Sequence, residues 1–448
     1  MAGLPEAFKN EMQVLLGENF ASFVRALEEP PPVSVRYNPL KLSPTAGTPV
    51  PWCPQARYLD ERPSFTLDPL FHAGGYYVQE ASSMLLEQAV SQLIGHRPII
   101  ALDLCAAPGG KSTHLLSLLS RDSLLIANEA IRGRVGMLSE NIEKWGYENV
   151  IVTHNDPGDF ARIPEFADLV LVDAPCSGEG LFRKDPDAVK EWSPHHVELC
   201  SLRQRRIVSD AWAFLKPGGT LIYSTCNYNH QENLGNLSWL ASNYELEFES
   251  ILMNPSWGVQ EIREGNCMGY QCFPHRVRGE GYFLSAIRKL GTSKARGNRA
   301  RHKLRHPSEK ELGAAREWIT QPEDMLFFLH GQQVRFLPSQ HENDLLNILD
   351  NLHVIQAGSA LGEIMKNKIV PDHGLALSVS RNKNALPMLS LDRMQALAYL
   401  RKESTMPAAE NTGFHVVEFE GLGLGWMNVL PNRMNNLYPA ARRIRMSE

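Results

Sequence analysis

The chain has no run of eighteen apolar residues, which leaves a membrane-spanning helix without a candidate. Its first residues, MAGLPEAFKNEMQ, carry acids and no apolar h-region, so a secretory signal is not expected. Cysteine is scarce: seven in 448 residues, an odd number with no disulfide-like clustering, which points to a reducing cytoplasm. No CxxC or HxxxH pair makes a convincing metal site, and Cys267 and Cys272 lack a second pair to complete one, so no metal is expected. The dinucleotide fingerprint G-x-G-x-x-G is missing. An excess of positive charge is missing too. At a formal net charge of −5, any nucleic acid must be held by local basic patches.

What is present is an ordinary globular composition, 43% hydrophobic and 21% charged, in a chain long enough for two or three domains. Phe8, Met12, Leu15, Leu16, Phe20, Phe23 and Leu27 recur at helical spacing and predict an amphipathic helix pair, stopped by Pro30, Pro31 and Pro32. VSVRYNPLK then reads as a short strand with a basic end. From about residue 98 strands and helices alternate. The strands are 98–104, 123–128, 149–153, 168–173 and 220–225, with helices such as 133–146 and 197–216 between them. Such alternation predicts a parallel, doubly wound α/β sheet, with 281–289 as its antiparallel edge. Residues 291–306 hold Lys294, Arg296, Arg299, Arg301, Lys303 and Arg305 with no acid, which suits a solvated linker or a phosphate contact equally. The Gly-punctuated, partly alternating tail reads as a small β-barrel. The expected organisation is 1–95, 96–289, a basic linker 290–306, an intermediate α/β region 307–372, and 373–448.

Two of the apolar runs end in cysteine, LVLVDAPC at Cys176 and TLIYSTC at Cys226. Strand carboxyl ends are where an open α/β sheet binds ligands. Two thiols at that edge suggest covalent chemistry on an electron-poor ring, although a single free cysteine more often simply packs. The segment LDLCAAPGGKSTHL is strand, glycine turn and helix. Gly110-Lys111-Ser112 match the end of a Walker loop, but Cys105 stands where its first glycine belongs. The remaining reading is a nucleoside pocket, its backbone from Cys105 to Gly110 facing the ligand. Acids follow the next three strands. Glu129 is placed to bind ribose hydroxyls, Asp156 to meet an adenine edge, and Asp173 closes the fourth strand. A capping or turn role is the plain alternative for each.

These motifs, D-x-C-A-A-P-G-G-K, D-A-P-C-S-G-x-G and Y-S-T-C followed by Glu232-Asn233, resemble the Sun/nucleolar-protein family of S-adenosylmethionine-dependent RNA cytosine-5 methyltransferases. VRYNPLK, YYVQEASSM, LKPGG and FPHRVRGEGYFL read like its further motifs, so the resemblance covers roughly 33–289. The tail GLGLGWMNVLPNRMNNLYP is similar to the appended domain of RsmF-type bacterial enzymes that act on small-subunit ribosomal RNA. The resemblance implies a Rossmann-like methyltransferase sheet, a small α+β N-terminal domain and a C-terminal PUA-like barrel. It implies S-adenosyl-L-methionine held by Cys105, Ala106, Ala107, Pro108, Gly109, Gly110, Lys111, Glu129, Arg134, Asp156 and Asp173. It further implies Cys226 as nucleophile, Cys176 as the release residue, Asp173 at the cytosine N3/N4 edge and Lys111 near the base. DNA cytosine methyltransferases use the Pro-Cys thiol instead, here Cys176, and spacing does not separate the two. Gly178, Glu179, Gly180, Arg183 and Lys184 are expected to flank the RNA entrance. The expected enzyme is a cytoplasmic monomer acting on 16S ribosomal RNA, without metal or membrane. The competing readings are a tRNA methyltransferase, a catalytically silent RNA-binding assembly factor, and an NTPase that Cys105 disfavours.

Overall fold

The computed structural model describes residues 3–293, 301–366, 368–403 and 411–446. Lys294, Arg296 and Arg299 of the basic stretch lie outside the described residues. Two helices, Glu6–Leu16 and Phe20–Glu28, precede the proline run. Their buried Phe8, Met12 and Phe23 pack against Phe182, Trp192, Tyr228 and Phe273 of the central domain. Strands β1 (Val33–Tyr37), β2 (Thr48–Val50), β3 (Cys53–Leu59) and β4 (Tyr76–Val78) form a small sheet in the order β2-β3-β1-β4. Arg36 does not make the basic strand end that the sequence suggested. It is 1% exposed, and its guanidinium lies 4.6 Å from the Trp145 ring centre while donating to Gly110 O, Thr113 Oγ1 and Gln79 Oε1. It clamps the small sheet to the next domain.

That domain is built on β5 (Ile100–Asp103), β6 (Leu124–Asn128), β7 (Val150–Thr153), β8 (Ala167–Asp173) and β9 (Leu215–Thr225), all parallel, in the spatial order β9-β8-β5-β6-β7. Their nearly unbroken apolar runs fit strands covered by helices on both faces. The order reverses beside β5, which opens a crevice at the strand ends between β5 and β8. Four antiparallel strands extend the β9 side: β10 (Leu246–Glu249), β11 (Gln260–Glu264), β12 (Cys267–Cys272) and β13 (Tyr282–Lys289). β13 is not the edge strand expected from sequence, because the β11–β12 hairpin continues the sheet beyond it, with Tyr270 opposite Leu284.

The C-terminal half contains β14 (Met325–His330), β15 (Gln333–Pro338), β16 (Val354–Ala357), β17 (Ser359–Met365) and β18 (Lys368–Pro371). Four of these make their own sheet, but β16 crosses over and pairs antiparallel with β7. A last sheet, β19 (Met388–Leu391), β20 (Gly413–Phe419), β21 (Leu422–Leu430) and β22 (Arg433–Asn436), packs against the helix Arg393–Leu400.

One helix, Arg132–Trp145, joins the N-terminal sheet region to the C-terminal end. Lys41 Nζ donates to its Lys144 carbonyl at 2.6 Å, and Arg442 from the C-terminal end makes two hydrogen bonds to Glu143 at 2.8 and 3.2 Å. Gly146 ends it at φ +85°, where a Cβ would stand 2.3 Å from Leu377 O, so only glycine fits. Among the described residues no helix is long and apolar enough to cross a membrane.

Candidate active site

Five strand ends, those of β5 to β9, deliver the chemistry. After β5 the turn of Cys105–Gly110 enters the helix Gly110–Leu118 with Gly109 at φ +112°. Its backbone is tied from outside. Ala106 N donates to Asn128 O at 2.8 Å, Arg134 Nη2 to Ala107 O at 2.5 Å, and Asn141 Nδ2 to Pro108 O at 2.8 Å. Arg134 also lies 3.6 Å from the Glu129 carboxylate, and the other Glu129 oxygen accepts from Ile131 N at 2.8 Å. Glu129 and Arg134 therefore meet at the turn. Asp156 is otherwise occupied. It is exposed, caps the 3-10 turn after β7 by accepting from Gly158 N, and pairs with Arg206 at 3.2 Å, which is the plain alternative noted for it.

Lys111 and Asp173, far apart in sequence, form an ion pair at 2.8 Å across the β5–β8 crevice. The other Asp173 oxygen accepts from Ser224 Oγ at 2.8 Å, and Lys111 Nζ lies 5.3 Å from the Tyr282 ring centre. Burial alone would lower the Lys111 pKa, but the Asp173 charge, with Tyr282, outweighs it and the net shift is upward. Lys111 is a fixed cation here. Asp103 contrasts with it: one oxygen accepts from Ser112 Oγ at 2.6 Å, the other is buried without a partner, and burial pushes the carboxyl up to about 7.

β8 and β9 are adjacent and in register, with Asp173 opposite Ser224. Cys176 follows three residues after the one and Cys226 two after the other, and their sulfurs lie 2.9 Å apart. The hydrogen bond to Cys226, followed by burial, raises the Cys176 thiol well above its usual value. The Cys105 thiol is also raised, by burial. Both cysteine loops hang on carboxylates that sequence reasoning did not assign to a role at the thiols. Glu232, fully buried, accepts from Ser177 N, Ser177 Oγ and Gln204 Nε2 at 3.1, 2.5 and 2.6 Å. Glu179 reaches the opposite way, accepting from Tyr228 N, Asn229 N and Trp192 Nε1 at 2.8 to 3.0 Å. Asn229 Nδ2 bridges the two carboxylates at 2.9 Å each. Gly180 N closes the arrangement on Cys226 O at 2.7 Å, and a Cβ there would stand 2.3 Å from that oxygen. The available signal was an acid a few residues after each cysteine, in CSGEG and CNYNHQEN.

Two expectations change. Glu179 is fully buried and Arg183 is ion-paired with Glu280 at 3.0 Å, each side chain of that pair 4% exposed, so neither presents itself to a polyanion; Lys184, 3.4 Å from the same Glu280 carboxylate, is exposed at the surface. Among the described residues one cluster has metal-ligand chemistry. Glu87 Oε2 and Cys53 Sγ lie 3.0 and 3.9 Å from His114 Nε2 on the helix Gly110–Leu118. Burial, then the Arg36 charge, pushes this histidine down to about 4, so it is neutral and hydrogen-bonded within the cluster.

Four family models match the chain in order. They are the N-terminal domain of 16S rRNA methyltransferase RsmF over 4–81 and 16S rRNA methyltransferase RsmB/F over 95–288. The RsmF rRNA methyltransferase first C-terminal domain follows over 314–379 and the methyltransferase RsmF PUA domain over 387–444. The ribosomal RNA small subunit methyltransferase F of Vibrio cholerae serotype O1 is 31% identical over 472 residues, 97% of each chain. Its namesake in Cronobacter sakazakii is 36% identical over 310 residues, 64% of each chain. Among solved structures, a methyltransferase homologue from Pyrococcus horikoshii superposes with a TM-score of 0.55 at 28% identity, over 64% of this chain and 96% of that one.

Proposed function

The chain belongs to the RsmF family of 16S rRNA methyltransferases, and we propose from this that it methylates C5 of a cytosine in small-subunit ribosomal RNA through a Cys226–C6 adduct. The observation that carries the reading is the pair of thiols 2.9 Å apart beside the Lys111–Asp173 ion pair. The methyl donor of this proposal is S-adenosyl-L-methionine, and the residues present fit it. The Cys105–Gly110 turn opens on a helix N-terminus, with Ala106, Ala107 and Pro108 as its backbone wall, and the Glu129 carboxylate suits a ribose diol. Arg134 secures that wall. Asp156 borders the same edge with its carboxylate engaged in capping the turn and in a pair with Arg206.

When bound, S-adenosylmethionine supplies an electrophilic methyl group on its sulfonium. The protein's task is to make C5 of cytosine nucleophilic. Cys226 Sγ, as thiolate, forms a bond to C6, and the displaced electron pair makes C5 nucleophilic. Asp173 accepts from the exocyclic amine, and the Lys111 ammonium offsets negative charge building on the ring. After C5 carries its methyl group, loss of the C5 proton to a base and expulsion of the Cys226 thiolate restore the ring. Cys176, whose raised pKa keeps it a thiol, stands beside the C6–S bond and assists that release. A stacked base cannot reach these groups, so the target cytosine leaves its stack. The seven free cysteines fit an enzyme working in a reducing compartment such as the cytoplasm.

Replacing each cysteine tests the division of labour. Cys226→Ala should cut methylation at least about 10³-fold and abolish covalent RNA adducts in denaturing gels. Cys176→Ala should let the adduct accumulate. Adducts that persisted in Cys226→Ala and vanished in Cys176→Ala would reverse the two roles. Bisulfite sequencing of ribosomal RNA from a deletion strain identifies the cytosine.

A further inference from the structure

We propose that a trough beside β4 seats the RNA strand next to the target cytosine, with Arg62 on a phosphate and the Phe65–Tyr77 cavity taking a neighbouring base. This rests on the RNA methyltransferase reading above and gives that substrate a path. Two cavities, of about 430 and 700 Å³, share Arg62 and Val78 as lining residues and so run together along β4. The smaller is walled by the half-buried rings of Phe65, Phe71 and Tyr77 and has no carboxylate in its lining. The exposed Arg62 guanidinium lies 5.5 Å from the Phe65 ring centre at the junction of the two. The larger adds exposed Lys184, whose ammonium shares the buried Glu280 carboxylate with Arg183 at 3.4 Å and keeps a solvent-facing side. Its one acid, Glu80, is spent on backbone donors, accepting from Ser82 N, Ser83 N and Glu280 N, each at 2.9 Å.

Both ends of the trough touch the site. At one end the Tyr77 ring lies against Gly110, where a Cβ would stand 3.3 Å from it, and Asn141 holds the Pro108 carbonyl of the same turn. At the other, Lys184 is eight residues beyond Cys176 on the loop that Gly180 anchors to Cys226. A cytosine drawn from its stack into the β5–β8 crevice leaves its neighbours single-stranded beside it. Aromatic faces with an adjacent cation are how proteins hold such strands, since every base has a π-face and every linkage a charge. A protein of net charge −5 needs such a local track to hold a polyanion.

The test uses the full chain with a short fluorescein-labelled single-stranded RNA, titrated over a range of salt, and in parallel with small-subunit ribosomal RNA for methyl transfer. Arg62→Ala should make the slope of log affinity against log salt shallower by about 0.7, as loss of one single-strand phosphate contact does, and Arg62→Lys should restore it. Phe65→Leu keeps apolar volume but removes the π-face. It should weaken binding about fivefold or more with the melting temperature held near the parent's. If the wild-type chain methylates RNA while neither variant changes slope or affinity, the trough does not carry RNA. A changed slope with unchanged Phe65→Leu affinity overturns the base pocket. Absence of methyl transfer by the wild-type chain instead overturns the methyltransferase mechanism, and the Arg62 slopes still judge the trough.

Discussion

Asp103 and Asp173 close adjacent strands and differ in what their oxygens meet. Asp173 has a lysine and a serine hydroxyl, whereas Asp103 has one hydroxyl and a buried oxygen without a donor. An unpaired acceptor in that position favours the protonated acid, and the Asp103 carboxyl is pushed from 3.8 up to about 7, first by burial. The sign of the consequence follows from linkage. Between pH 4 and 7 the native state keeps a proton that the unfolded chain releases, so stability is greatest at the acid end of that window and falls as pH rises. The loss is about 1.4 kcal/mol per pH unit within the window, as an upper bound for this group. Asp103→Asn should flatten that slope in urea midpoints measured across the window. An unchanged slope would show that Asp103 is ionised in the native protein, held by Lys111. Arg36 makes a related point about reading residues one at a time. In VSVRYNPLK it looks like a surface cation, yet its environment is set by Gln79, Thr113 and Trp145, none of them its neighbour in sequence.

Two carboxylates, with no cationic partner among the described residues, tie down the loops after β8 and β9 by satisfying their backbone donors. Removing Glu232 would strand Ser177 N and one N–H of Gln204 Nε2, whose other N–H donates to Pro175 O, at a fully buried position. At about 1–3 kcal/mol for each buried donor left unmade, Glu232→Ala should destabilise the protein by roughly 3 kcal/mol. It should also lower kcat more than it raises KM for RNA, because the loop it releases carries Cys176. Steady-state kinetics beside a urea titration reads both, and a variant as stable as the parent would mean that water takes over its place. The parallel strands β5 to β9 were legible in the sequence because a strand buried on both faces is an apolar run, and the cysteines were legible because they end such runs. Glu179 and Glu232 were not, since an acid in a polar loop looks solvated until a second loop closes over it. Asp156 shows the converse: an acid after a strand can be spent on the next turn. The hairpin β11–β12 escaped because QEIRE and CMGYQC alternate too weakly to outvote the stronger strand β13.

At the scale of the whole chain, the central sheet is finished by a strand from more than 190 residues beyond the one it joins, Val354 standing opposite Thr153. The expected linker at 290–306 suggests a methyltransferase that could stand alone up to residue 289, but the packing makes the C-terminal half part of its core. Leu345, Ile348, Leu352, Val354 and Ala357 are in one apolar cluster with Ile126, Ile151 and Phe160. Leu345 and Ile348 are fully buried there. At about 1.5–3 kcal/mol for each large side chain, four of them contribute about as much as the 5–15 kcal/mol by which a typical protein is stable. Without them β7 would also present an unpaired edge, which invites association with other chains. A chain ending at Lys289 should therefore aggregate or unfold at temperatures where the full chain stays folded and unaggregated, as read by thermal melting and light scattering. Full-length Ile348→Asp, which places a charge in the same cluster, should lower the melting temperature sharply, because an unpaired buried charge has no solvation to replace water's. A soluble, monomeric 1–289 fragment with a melting temperature equal to the parent's would mean that β16 is an ornament on a core already complete.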